Sequence, residues 1–267
     1  MKTIKNQILS IFRSCHDLSE KQILDFEDDI FRPYVEKLNQ LAALEVEDHE
    51  ADVLISDREL QPAIQKIARL KRVHGLRVER EQAQAIIHNA APWETLKGFL
   101  YYPNYLQLAE MEFHGADLNR NDHVVFLGSG PLPLSLITMT SQYGVKGIGI
   151  EKEPFNANLS REVIASLELS EQIEIISGDH FVLPLPHQVN LVMVGADAIP
   201  KDEIFTHLAE TLPVRMKFSY RIYEKGLRRI FDTDHVVGKL PFNLREYRRI
   251  RPKPPVNNTS VFVIKDD

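Results

Sequence analysis

Over residues 1–119 the apolar positions recur three and four apart, as they do on one face of a helix. Ile4, Ile8, Ile11, Phe12 and Cys15 make one stripe, and Val35, Leu38, Ala42 and Leu44 contribute to another after Pro33 interrupts the chain. Ser56 with Glu59 has the form of a capping box ahead of a run from Leu60 to Lys71. No strand-like alternation extends over any length, so residues 1–119 are predicted to be an all-helical N-terminal domain.

After Asn121 short apolar runs take over: HVVFL from His123, VKGIGI from Val145, QIEIIS from Gln172, NLVMVG from Asn190 and, near the end, SVFVIK from Ser260. Each has the length of a buried strand, and amphipathic stretches at 131–143, 154–168 and 201–211 alternate with them. The alternation predicts an α/β fold, a Rossmann-like doubly wound parallel sheet over 120–267. The boundary falls in GADLNRND, residues 115–122, where turn formers concentrate.

In such a sheet, ligands bind beyond the carboxyl ends of the strands, where strand order reverses. The first strand runs into LGSGPLP, whose Gly128, Ser129, Gly130 and Pro131 form a candidate nucleotide turn. Glu151 ends the second strand, placed to accept from ribose hydroxyls, and Asp179, in the SGD turn after the third, is a candidate partner for an adenine amino group. A dinucleotide fold would carry a third glycine where Pro131 and Pro133 stand, and proline has no N–H to offer a phosphate. A turn short of amide donors suits S-adenosylmethionine, an adenosine without phosphates, in a sheet of the class I methyltransferase type. A nicotinamide site and a turn that merely joins strand to helix are the competing readings.

The helical half carries the other candidate chemistry. On a helix, Leu76, Glu79, Ala83 and Ile86 share one stripe, which aims the Glu79 carboxylate at an otherwise apolar side. Such a group is paired, protonated or functional, because its desolvation is costly. In YYPNY, Pro103 suits a helix start and sets Tyr105 on a stripe with Leu108 and Glu112. Tyr101, Tyr102 and Tyr105 either pack with their hydroxyls at the rim or line a small-molecule pocket. Arg221 and Tyr223 are candidate contacts for a substrate carboxylate. The basic run REYRRIRPKP is read as a solvated face.

Composition narrows the partners. A net charge of −6 and a pI near 5.9 argue against nucleic acid as a ligand. The single cysteine, Cys15, excludes an internal disulfide framework and a cysteine-clustered zinc site, and its place on an apolar stripe marks it for packing. The start MKTIKNQILSIFRSCHD is broken by Asn6, Gln7 and Arg13 before any adequate apolar run, so no signal peptide and no membrane span are expected. The expectation is a cytoplasmic protein acting on a small amino-acid substrate, as a monomer or homodimer.

The runs AQAII, PWETLKGF, YYPNYLQL, VVFLGSGPLPLS, GDHFVL and VNNTSVFVIK together resemble the nicotianamine synthase family, including its shorter archaeal-type members and related opine-metallophore aminobutanoyltransferases. The similarity runs from about Gly75 to Lys265. It implies a transferase that moves the 3-amino-3-carboxypropyl group of S-adenosylmethionine onto an amine, releases methylthioadenosine and makes a metal-chelating product without a metal of its own. Glutamate, histidine and another S-adenosylmethionine-derived unit are the acceptors the family suggests. By the same resemblance Glu79 is the base at the substrate amine, Tyr105 orients that amine, and the helical domain supplies pocket and lid. An ordinary small-molecule methyltransferase and a non-catalytic, S-adenosylmethionine-binding regulatory module are the alternatives.

Overall fold

The computed structural model describes residues 2–25, 28–186, 188–224, 226–232 and 239–267. Two compact units emerge, Met1–Val78 with Tyr223–Val236, and Glu79–Ile222 with Val237–Asp267. The expected division at 119/120 is therefore replaced by one inside a helix, and a later segment returns to the first unit.

The first unit is built from α1 (Lys2–Cys15), α2 (Glu20–Asp25), α3 (Asp28–Ala42), α4 (Asp48–Ile55), the start of α5 (Gln61–Ile87) and a 3-10 segment, Gly226–Asp232. The predicted stripe of α1 is its buried face: Ile8, Ile11 and Cys15 pack with Leu38, Leu54, Ile64, Ile67, Leu227 and Ile230. Cys15 is a packing residue as expected, its thiol donating to the Ile11 carbonyl at 3.1 Å. Three local expectations are corrected. Pro33 lies inside α3 rather than interrupting it. Leu44 lies past the end of α3 and is exposed. Ser56 is the C-cap of α4, and the turn into α5 is closed by Asp57, whose Oδ1 accepts the Glu59 amide at 2.9 Å. The Asp57 carboxylate also pairs with the Lys5 ammonium at 2.8 Å, a charge pairing that a serine hydroxyl lacks. Those bonds hold the Asp57 carboxyl below its ordinary pKa.

The second unit contains the end of α5, α6 (Pro92–Lys97), α7 (Tyr102–Gly115) and a seven-stranded sheet. Its strands are β1 (His123–Leu127), β2 (Lys146–Glu151), β3 (Ile173–Ser177), β4 (Leu191–Val194), β5 (Lys217–Ile222), β6 (Leu244–Ile250) and β7 (Thr259–Lys265). Helices α8 (Leu134–Tyr143), α9 (Pro154–Ser166) and α10 (Lys201–Thr211) connect the parallel strands. The order is β3-β2-β1-β4-β5-β7-β6, with β7 antiparallel to both neighbours. Val125 pairs with Ile148 on one side and Val192 on the other, so the chain reverses its direction of travel between β1 and β4. A doubly wound sheet binds its ligand at that reversal.

The apolar runs became strands because Val125, Ile148, Ile150, Val192 and Val194 are buried on a sheet covered by helices. Two strands escaped the sequence pattern. β5, KFSYRI, is central and nearly wholly buried, but Ser219 and Arg221 interrupt its apolar signal. β6, LREYRRI, is the edge strand that the basic run conceals, with most of its side chains in solvent as a charged face predicts.

Helix α7 lies against the sheet through Gly115. A Cβ there would stand 2.1 Å from Cζ of the fully buried Phe262 on β7. Gly115→Ala is expected to lower unfolding free energy by about 1–3 kcal/mol through overpacking. Urea denaturation checks this: the midpoint should fall with an unchanged slope, and an unmoved midpoint would refute the packing account. Among the described residues no helix is long and apolar enough to cross a membrane.

Candidate active site

The glycine turn closes on itself. Gly128 and Gly130 have φ of +75° and +71°, the left-handed region that glycine enters without steric cost. The Gly128 and Ser129 amides both donate to the Ile150 carbonyl, at 2.9 and 3.1 Å. The Gly130 amide donates to Glu151 Oε2 and the Glu153 amide to Glu151 Oε1, each at 2.9 Å. Leu134 donates back to Leu132 at 2.7 Å, and Pro131 and Pro133 have no N–H. The helical stretch predicted from residue 131 does not begin at the prolines. They precede α8, which begins at Leu134. With these amides used internally, the turn lacks the outward donors that a pyrophosphate requires.

Glu151 is therefore both a wall of the turn and its acceptor. It is buried, and each carboxylate oxygen that takes a backbone amide retains a further lone pair for a ligand hydroxyl. Ser129 is buried, its hydroxyl has no partner among the described residues, and it stands 2.8 Å from where a Cβ on Gly149 would lie. The absent side chain at Gly149 makes room for it.

The Gly178 amide donates to the Glu151 carbonyl at 3.0 Å, which puts the SGD turn on the same rim. Asp179 is exposed there, and its Oδ1 accepts from the Phe181 amide at 2.9 Å, capping a short 3-10 turn. His180 is buried beside Phe181 and His207, and burial pushes its imidazole below the usual pKa. Across the reversal, Ala198 abuts Gly128, with 3.0 Å between its Cβ and the position a Gly128 Cβ would take. The loop carrying Ala198 is tied down by Lys201, which donates to the carbonyls of Gly195, Ala196 and Ala198 at 3.0, 2.7 and 3.1 Å.

Glu79 reaches this turn from α5. Its Oε2 lies 2.9 Å from the position of a Cβ on Gly130, so a side chain there would displace the carboxylate. The predicted stripe holds in part: Ala83 and Ile86 are fully buried, while Glu79 and Leu76 are half-buried. Neighbouring Arg80 donates to Asn156 at 2.9 Å and stacks on Phe155 at 5.0 Å, fastening this end of α5 to α9. Sequence reasoning passed over Arg80 and Lys201, whose backbone and amide partners have no signature in a sequence. Phe155 and Phe181 were missed too. Each is more than half exposed, four residues past the end of β2 or β3, and a large apolar side chain shortly after the acidic Glu151 or Asp179 was the available clue.

A second cluster gathers around Arg221. Its Nε and Nη2 form a bidentate pair with Glu112 at 2.8 and 2.7 Å, and Nη2 also donates to Ser135 Oγ at 2.8 Å. The guanidinium expected to meet a substrate carboxylate thus meets one of the protein's own. Its carbon lies 5.9 Å from the centre of the Tyr105 ring and 5.3 Å from that of Phe126. Tyr105 and Tyr102 are half-buried, and burial raises the Tyr102 phenol pKa. Tyr101 is exposed at the N-cap of α7, edge-on to Phe99. Tyr223 belongs to the other compact unit, where it packs with Phe231 and Lys71 and its amide donates to Asp232. Trp93 is structural, donating to the Leu167 carbonyl at 3.2 Å.

A cavity of about 500 Å³ opens elsewhere, at the amino ends of the strands beside Asp122, Asn190 and Lys217. It lies at the opposite end of the sheet from the glycine turn and takes no part in the site.

A family model described as nicotianamine synthase protein matches residues 1–267. The solved structure of MtNAS in complex with MTA and tNA has a TM-score of 0.84 and 28% identity, covering 100% of this chain and 98% of that one. A point mutant of MtNAS in complex with S-adenosylmethionine gives 0.83 and 29%, covering 98% of both. L-histidine 2-aminobutanoyltransferase of Yersinia pestis is 24% identical over 132 residues, 49% of each chain. Nicotianamine synthase 3 of Arabidopsis thaliana is 32% identical over 118 residues, 43% of this chain and 34% of that one. The matches thus span about half or less of these curated relatives.

Proposed function

Because the chain belongs to the nicotianamine synthase family, we propose that it transfers the 3-amino-3-carboxypropyl group of S-adenosylmethionine to the amine of an amino acid and releases 5′-methylthioadenosine. The proposed product is a nicotianamine-like metal chelator. The observation that carries this reading is the Glu79 carboxylate standing over Gly130, a proton acceptor at the turn expected to hold the sulfonium ligand. The MtNAS complexes with S-adenosylmethionine and MTA support the choice of co-substrate.

S-adenosylmethionine supplies an electrophilic carbon: the amine nitrogen bonds to Cγ of the longer chain, the Cγ–S bond breaks, and its electron pair neutralises the sulfonium. The protein must decide which carbon is met, because positioning alone distinguishes the three substituents of the sulfur. Gly128, Ser129, Gly130 and Pro131 shape a turn for the adenosine end, and Glu151 accepts from its ribose. Asp179 is proposed for the adenine amino group, with Phe155 and Phe181 as apolar faces beside it. An ammonium has no lone pair for attack, so Glu79 takes a proton from the incoming amine. Tyr105, with Tyr102 and Tyr101 on the same helix start, orients the acceptor, and the Arg221 guanidinium is engaged by Glu112.

The test is the nucleoside released. Incubation with S-adenosylmethionine and a panel of amino acids, glutamate and histidine first, should yield methylthioadenosine by mass spectrometry, with an acceptor heavier by one or more aminocarboxypropyl groups. S-adenosylhomocysteine as the sole nucleoside product would establish methyl transfer instead. Ligand binding without any product would leave a regulatory module.

A further inference from the structure

The geometry points to Glu112 as a positioning residue for the transfer, acting through Arg221 to fix the Tyr105 ring; the inference rests on the function proposed above. Glu112 is 1% exposed and Arg221 5%. Burying two such charges can cost more desolvation than their attraction alone returns, and apolar residues of like volume often serve stability as well or better. Stability is therefore a poor reason for the pair.

Its geometry supplies a better one. Tyr105, Leu108 and Glu112 lie three and four residues apart on one face of α7, so the far end of the helix face that presents Tyr105 is bolted to β5. The bolt is bidentate, which fixes angle as well as distance. The same guanidinium takes Ser135 on α8, lies over Phe126 at the end of β1 and lies near the Tyr105 face. One side chain thus relates the Tyr105 ring to the strand that enters the glycine turn and to the helix that leaves it. A hydroxyl meant to orient an amine needs that fixity, since displacement by about 1 Å can cost a hundredfold in rate.

The experiment replaces the pair by apolar residues, Glu112→Leu with Arg221→Met, and adds Tyr105→Phe in both backgrounds. The double variant should melt at or above the wild-type temperature and release methylthioadenosine at least roughly tenfold more slowly, the loss falling in kcat. Tyr105→Phe should then cost far less in the double variant than in the wild type, because the hydroxyl is already misplaced. Additive losses would overturn the inference, since a merely structural pair has no coupling to that hydroxyl.

A second readout needs no turnover. In protein labelled with 3-fluorotyrosine, the fluorine resonance that vanishes with Tyr105→Phe should shift or broaden in the double variant, and an unmoved resonance would overturn the inference. A wild-type protein that releases no methylthioadenosine counts against the proposed function, not against this coupling. Should the double variant fail to fold, Arg221→Lys keeps the charge, loses the fork and is read by the same two measurements.

Discussion

Glu79→Gln is expected to reduce methylthioadenosine release by about 10²–10⁴-fold, the range that a positioned general base contributes. Glutamine has nearly the shape of glutamate and leaves the Gly130 turn undisturbed, but it cannot accept the proton that the acceptor's ammonium must lose before its nitrogen attacks. Binding of S-adenosylmethionine, measured by calorimetry, should change little, because the turn's amides are satisfied by Ile150 and Glu151 and not by Glu79. A variant that binds the co-substrate and retains wild-type turnover would remove Glu79 from the mechanism. One that no longer binds would make its role that of a ligand contact.

The second large effect comes from a residue with no chemistry. In Gly130→Ala the new methyl would lie 2.9 Å from Glu79 Oε2 at a backbone φ of +71°. The left-handed conformation costs a non-glycine residue about 1–2 kcal/mol, felt in stability or in the hold on the ligand. The carboxylate, as the far end of a flexible side chain, gives way and the fold survives. The base is then displaced, and a loss of about 10²-fold in turnover is expected from misplacement alone. The control is Gly75→Ala on the same helix, where a Cβ meets nothing within 4 Å. That substitution should stabilise by about 0.5–1 kcal/mol on helix propensity. It should leave turnover unchanged. Equal losses from the two alanines would show that α5 responds as a whole and that no specific contact with Gly130 matters.

Much of the site was legible because its signals are local. The left-handed glycines, the two prolines and an acid ending the next strand lie within 24 residues of one another, between Gly128 and Glu151. Each acts through its own backbone geometry or its absent N–H. The five apolar runs and the helix periods were legible for the same reason, since burial on one face repeats at the period of the element. Arg221 shows the opposite case. Its partner is 109 residues away, and both a substrate carboxylate and Glu112 satisfy everything that SYRIY displays in sequence. β5 was hidden by that same residue and by Ser219, which break its apolar run; the Arg221 charge is tolerated in an interior strand because α7 and α8 bring it Glu112 and Ser135.

What the sequence determined by itself is the α/β class, the glycine turn without phosphate donors, and the stripe that aims Glu79 off α5. Only the tertiary structure decided that β7 inserts antiparallel beside β5, that the compact units divide within α5, that Asp57 rather than Ser56 closes the turn, and that Glu112 holds Arg221. The physical reason is the reach of the forces. Torsional preference and periodic burial act over a few residues, whereas a buried charge is settled by whichever opposite charge the finished packing delivers to it.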